Sequence, residues 1–153
     1  MNVEIDVDGT DLEIIDLLVR DGRRTLAEIG ATVSLSAPAV KRRVARLEEI
    51  GVITGYTAEI DYAKLGRPIE AFTELRFSGN TKVADIAGVA RGLPEVDAVY
   101  TIAGDPDALV HLRVRDVADL TRVIDLLRRS GKVSGTKTLI VLGTETRTTP
   151  KRN

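Results

Sequence analysis

The apolar residues of this chain change their spacing once, and that change limits the architectures open to it. Up to about Ile50 they recur three and four residues apart, as a helix facing a core requires. Beyond Leu65-Gly66-Arg67-Pro68 they alternate in short runs, interrupted by two further helical stripes. Gly and Pro punctuate the switch, so the chain divides there into a helical part and a mixed part. Its 153 residues, 43% of them apolar, supply one large or two small cores.

Several function classes drop out on composition. No apolar run approaches the roughly 18 residues a membrane span needs. The opening Met1-Asn2-Val3-Glu4-Ile5-Asp6 lacks the basic and apolar regions of a secretory signal, so a cytoplasmic protein without a membrane partner is expected. The sequence has no cysteine and one histidine, His111. Disulfides, thiolate zinc and multi-histidine metal sites are thereby excluded, and a histidine-based triad is weakened. With no glycine-rich phosphate loop beside an acid cluster either, neither an enzyme nor a bound cofactor is expected.

Charge is distributed unevenly. Residues 1–66 hold 8 Lys/Arg against 12 Asp/Glu, net −4, and residues 67–153 hold 14 against 11, net +3. Neither part is a simple polyanion binder. Within the acidic part, however, Thr32 to Leu47 carries Lys41, Arg42, Arg43 and Arg46 and no acid at all.

That basic island falls on a helix. Thr10 to Asp21 reads as a first helix with Leu12, Ile15, Leu18 and Val19 inward and acids near its start, closed by Gly22. Thr25-Leu26-Ala27-Glu28 has the form of a capping box opening a short second helix, with Leu26 and Ile29 inward. Ser36 is a good N-cap for a third helix from about Ala37 to Ile50, with Pro38 tolerated in its first turn. On that helix Ala37, Val40, Val44 and Leu47 share one stripe and Pro38, Arg42, Ala45 and Arg46 the opposite one, flanked by Lys41 and Arg43. Two helices joined by about four residues, the second with small side chains near its start and long cations outside, can seat a helix in a DNA major groove. Arg42 and Arg46 are then candidates for base contacts and Lys41 and Arg43 for phosphate, with Arg43 alternatively bracing the domain. Ser36 caps the helix, whose N-terminus can also receive a phosphate. Arg23 reads equally as a structural ion pair or a backbone contact. A merely solvated face is the commoner fate of exposed charge, and the missing acids and the helix-turn-helix setting weigh against it here.

Val52 to Asp61 reads as a connecting strand. After Pro68 the order is strand (Ile69 to Phe77), helix (Val83 to Leu93), strand (Val96 to Ala103), strand (Ala108 to Arg115), helix (Leu120 to Leu127) and strand (Thr136 to Leu142). Two split βαβ units in this order build a four-stranded antiparallel sheet with both helices on one face. On the other face Leu109, His111, Arg113 and Arg115 look across at Glu70, Phe72, Glu74 and Arg76 if the first and third strands are neighbours. Solvation would leave Phe72 and Leu109 exposed, whereas packing against a second copy covers them and pairs acids with bases, so at least a dimer is expected. Tyr100 alternates onto the helix-packed face with Val96, Ala98 and Ile102, as core filling. In the turn Gly104-Asp105-Pro106-Asp107 the two aspartates have a sufficient local explanation, because turns favour them.

The chain resembles the Lrp/AsnC family of amino-acid-responsive transcription regulators from Val7 to about Gly143. The resemblance lies in Val7-Asp8-Gly9-Thr10-Asp11-Leu12-Glu13-Ile14-Ile15, in Asp21-Gly22-Arg23, and most specifically in Leu35-Ser36, Val40, Arg43-Val44, Arg46-Leu47-Glu48, Gly51-Val52-Ile53, Gly55-Tyr56, Ala58, Ile60-Asp61 and Leu65-Gly66. Gly104 to Leu109 is similar to the family's effector loop, and Thr136-Lys137-Thr138 to its threonine pair on the last strand. Ser34 stands where glycine is usual, and Pro106 and Ala108 where many members carry larger residues.

The resemblance implies an α+β protein: a helix-turn-helix, winged-helix-like domain over 1–51, a connecting strand or linker over 52–67, a βαββαβ ferredoxin-like sandwich for effector binding and oligomerisation over 68–146, and a mobile tail over 147–153. It implies a homodimer that assembles further, typically to an octamer, and an effector that is usually an amino acid. On that basis backbone amides around Gly104 would take the carboxylate and Asp107 the ammonium, with Thr136 and Thr138 giving further hydrogen bonds and Tyr100, Asp105 and Leu109 lining the site. The expected function is a sequence-specific transcription regulator of double-stranded DNA. The competing reading is an architectural DNA-bending protein without an effector.

Overall fold

A computed structural model describes residues 6–144 of the chain. In order these are α1 (Gly9–Arg20), α2 (Leu26–Val33), α3 (Ala37–Glu49), β1 (Ile69–Phe77), α4 (Val83–Ala90), β2 (Val96–Thr101), β3 (Ala108–Val114), α5 (Val117–Arg129) and β4 (Val133–Ile140). They form two compact units, the first ending at Glu59 and the second spanning Ile60–Thr144. The tail expected over 147–153 lies outside the described residues.

In the first unit each helix begins on a side-chain cap. Asp8 and Asp11 cap α1 reciprocally, Thr25 and Glu28 do the same for α2, and Ser36 Oγ accepts from Ala39 N at the start of α3. Ile14, Ile29 and Val40, one from each helix, are fully buried at the centre, with Leu17, Leu18, Leu26, Val33, Leu35 and Val44 packed around them. The stripe expected on α3 is the one that packs. On α1 the phase differs: Asp11 and Ile14 are buried, while Leu12 and Val19 are 59% and 62% exposed. Counting apolar residues cannot find this phase, because one of its two fully buried positions is an acid.

The turn from α2 to α3 is tight. A Cβ on Gly30 would stand 2.3 Å from the Leu35 carbonyl oxygen, and Ser34 adopts a left-handed φ of 57° to reverse the chain. After α3, Val52 N and Ile53 N both close onto Leu47 O, and the Tyr56 hydroxyl donates to Glu48 Oε1 at 2.9 Å. The strand expected over Val52 to Asp61 forms no ladder among the described residues. Instead the segment returns beside α1, where Ile53 and Tyr56 line one hollow with Ile15 and Leu18 and the Tyr56 ring lies close to Gly22.

The second unit is the βαββαβ sandwich, with strand order β2-β3-β1-β4, all neighbours antiparallel. One face carries Ala71, Leu75, Ala108, Val110, Leu112 and Val114 against Ile86 and Ala90 of α4 and Leu120, Val123 and Leu127 of α5. Thr73 is buried on that face and satisfies its hydroxyl on Thr138 Oγ1 at 3.0 Å. Asp119 anchors α5: Arg122 above all, then Arg115, hold its carboxyl down at about 2 against the opposing effect of burial.

Two strand assignments differ from expectation. β4 starts at Val133 and ends at Ile140, shifted toward the N-terminus from Thr136 to Leu142. More consequentially, the β2–β3 register slips between Val96 and Ala98. Val96 pairs with Leu112 and Val99 with Val110 on the helix side, whereas Ala98 pairs with His111 and Tyr100 with Leu109 on the open side. Tyr100 is therefore not core filling; it stands 47% exposed on the uncovered face, because one extra residue in a strand inverts the alternation after it.

The α2–α3 turn predicts opposite responses at two positions. Gly30→Ala should destabilise the protein by about 1–3 kcal/mol through overpacking against backbone, and Ser34→Gly should stabilise it by up to about 1 kcal/mol by relieving the left-handed backbone. Urea unfolding of both variants beside wild type measures the two signs.

Candidate functional site

The four cations of α3 divide into two pairs. Arg43 Nη1 donates to Asp8 Oδ2 at 2.7 Å and to Asp11 Oδ1 at 2.8 Å. Arg46 Nη2 donates to Asp11 Oδ2 at 2.8 Å and to the Asp6 carbonyl at 2.6 Å. Burial works to raise the Asp11 carboxyl, but Arg43, the Asp8 amide and Arg46 together hold it below the ordinary carboxylate range. Arg46, read from the helical wheel as outward beside Arg42, is thus drawn to the α1 side. Lys41 and Arg42 are exposed and form no ion pair among the described residues. Ser36, at the N-terminus of the same helix, is exposed as well.

The open face of the sheet is built from paired charge and uncovered apolar surface. His111 stacks on Phe72 with ring centroids 4.6 Å apart, and its Nε2 lies 2.7 Å from Glu70 Oε1. Arg113 donates through Nε to Asp97 at 2.7 Å and through Nη2 to Glu70 at 3.1 Å, with its guanidinium 4.3 Å over the Tyr62 ring. β1 and β3 are neighbours, as the expectation for this face required, and within the two sets of residues Glu70 pairs with Arg113, Phe72 with His111 and Glu74 with Leu109. Asp97 joins them from the bulge.

The turn between β2 and β3 is tied to the end of β1. Asp105 accepts from Arg76 Nε and Nη2 at 2.8 and 2.9 Å, and this guanidinium holds its carboxyl below the ordinary range. Asp107 N donates to Leu75 O, and Asp107 Oδ2 accepts from Phe77 N at 2.7 Å. Gly104 takes a positive φ of 126°, and Asp105-Pro106 is a cis peptide. On the other side of β1, Thr136 is the register partner of Leu75 and Thr138 of Thr73.

Gly104, Asp105, Asp107 and Thr136 therefore share one end of the sheet, around Leu75 to Phe77. Tyr100 and Leu109 pair with each other on the open face, while Thr138 lies on the helix side with its hydroxyl engaged by Thr73. Arg76 is the participant that sequence reasoning missed: alternation puts it on the open face, but its bond to Asp105 joins residues 29 apart. Among the described residues no group of three or more His, Asp or Glu is placed to hold a metal ion, and no helix is long and apolar enough to cross a membrane.

A family model described as the AsnC-type helix-turn-helix domain matches residues 7–48, and one described as the Lrp/AsnC ligand binding domain matches residues 70–150. The HTH-type transcriptional regulator Rv2324 of Mycobacterium tuberculosis is 38% identical over 136 residues, 89% of this chain and 92% of that protein. Among solved structures, LrpC of Bacillus subtilis gives a TM-score of 0.83 at 28% identity, covering 94% of this chain and 99% of that one. The transcriptional regulator NMB0573 of Neisseria meningitidis in complex with L-Met gives 0.86 at 26% identity, covering 95% and 97%.

The Arg76–Asp105 pair is directly measurable. In Arg76→Gln the Asp105 carboxyl should titrate higher than in wild type, because the guanidinium that holds it down is gone. Carboxyl-carbon NMR shifts followed through acid pH read this, and an unchanged titration would show that the pair does not form in solution.

Proposed function

The chain belongs to the Lrp/AsnC family of DNA-binding transcriptional regulators, and from that premise we propose that it reads a specific operator through α3 as a homodimer whose binding is biased by a free amino acid. The carrying observation is the division of cations on α3: Lys41 and Arg42 are exposed and form no ion pair among the described residues, and they follow small residues at the helix start that permit close approach. In this reading Arg42 contacts a base edge, Lys41 a phosphate, and the Ser36 end of the helix a second phosphate. The second copy packs on the open sheet face, where Phe72, Leu109, Tyr100 and Leu139 offer apolar surface among charges already paired within the chain.

The amino-acid effector is placed at the turn after β2. A zwitterion needs amide donors beside an acceptor. Backbone around Gly104 supplies the former, and Asp107, which uses Oδ2 on Phe77 N, retains Oδ1 for an ammonium. Thr136 borders the same end, Asp105, Tyr100 and Leu109 form its open-face side, and Thr138 would exchange its Thr73 bond to take part. The neighbour solved with L-Met supports this ligand class.

Two measurements test the reading. Against a duplex selected by the wild-type protein from a random library, Arg42→Ala should lose about 1–3 kcal/mol and relax selectivity. Lys41→Ala should weaken selected and random duplexes alike and lower the salt slope by about one. Failure to select any sequence would favour the architectural alternative. For the effector, at least one amino acid of the standard set should raise the melting temperature of wild type. Asp107→Ala should lose that shift while keeping effector-free DNA binding. A chain that is monomeric by light scattering at micromolar concentration would contradict the dimer.

A further inference from the structure

Burial of Asp11 is not explained by stability alone. A carboxylate with 0% exposure is drawn into the contact between α1 and α3, where an apolar side chain of similar size would cover the same surface without desolvating charge. What the charge adds is direction. The apolar stripe of Val40, Val44 and Leu47 holds α3 to its neighbours through contacts indifferent to small rolls and slides. Arg43 and Arg46 sit one turn apart on α3, and each donates to a different oxygen of the same carboxylate. The carboxylate is itself fixed, because Asp11 closes the capping bonds of α1 with Asp8, and Asp8 takes a further bond from Arg43. Two attachments one turn apart on a rigid helix, meeting at a single immobile group, leave α3 no freedom to rotate about its own axis.

We propose that Asp11 is a positioning residue for DNA recognition: by holding Arg43 and Arg46 on the α1 side it sets the rotation of α3, and with it the direction in which Lys41 and Arg42 leave the helix. Successive residues are 100° apart on a helix, so the angle of Arg42 to the groove is determined by where its neighbour Arg43 is tied. A base-edge contact tolerates displacements of only about 0.5 Å. The inference rests on α3 being the DNA-reading helix. It assigns Arg43 and Arg46 to the device that aims this helix, in place of the contacts with DNA that their charge suggests.

The test uses the full-length chain, a duplex selected by wild type and a random-sequence duplex. Asp11→Asn should lower affinity for the selected duplex by about tenfold or more. Binding to the random duplex should stay level or rise, since two guanidiniums are released. Arg46→Gln should do the same to the selected duplex, and the double variant should be no worse than the weaker single. Arg46→Lys, which keeps the charge and the helix but loses the planar fork, should show the same loss of selectivity, with helical circular dichroism confirming that it folds. Equal losses on both duplexes with a reduced salt slope in Arg46→Gln would make Arg46 a phosphate contact and overturn the proposal, as would additive losses in the double variant or unchanged selectivity in Asp11→Asn. Selectivity lost in Asp11→Asn but kept in Arg42→Ala would instead count against α3 as the reading helix.

Discussion

The first unit is organised around one buried carboxylate. Taking a carboxylate out of water costs several kcal/mol unless it is met by charge and by hydrogen bonds on its remaining lone pairs, and every lone pair of Asp11 faces such a demand. Arg43, Arg46 and the Asp8 amide meet it. That requirement decides the phase of α1, which turns Asp11 and Ile14 inward and leaves Leu12 and Val19 in solvent. It also decides which cations of α3 remain uncommitted. A chain that buried leucine in place of Asp11 would have no reason to separate its four basic residues into two pairs.

The second unit faces a different constraint, because a sheet covered by helices on one side must present the other to something. Here that side is neither plainly polar nor plainly apolar. Glu70, Asp97, His111 and Arg113 are joined into one network, and Phe72 lies flat on the imidazole. Charges already satisfied within a chain can be covered by a second surface at a lower desolvation cost than free ones. The same face runs out at the turn 104–107, so the proposed partner surface and the proposed effector site meet at Arg76 and Asp105.

Local chemistry made much of this legible. The caps at Thr25 and Ser36, the alternation along β1 and the stripe on α3 each depend on residues within a few positions of one another, and each lies where the sequence pattern puts it. What was not legible depends on partners far away along the chain. Asp11 reads as a dipole-friendly acid in a first turn until Arg43 and Arg46, 32 and 35 residues on, are brought to it. Arg46 reads as outward for the same reason. Tyr100 reads as core until the slip at Asp97 is known, and no residue type announces a bulge in a strand of ordinary composition. The threonines 136 and 138 read as site residues on resemblance, yet the fold puts one beside the turn and commits the other to Thr73.

The slip at Asp97 makes β2 an unusual place for the chain to change length. Beyond it Val99 faces the helices and Tyr100 the open side, the sides that their partners Val110 and Leu109 dictate whether or not the extra residue is there. Deleting Asp97 would remove the bulge and leave the pairings on either side as they are, with Val96 opposite Leu112, Ala98 opposite His111, Val99 still toward the helices and Tyr100 still toward the open side. Losing one residue here costs the carboxylate that accepts from Arg113, and not the facing of the strand. What the extra residue contributes is a charge on the open face and a bend in β2, with no change in what the strand buries.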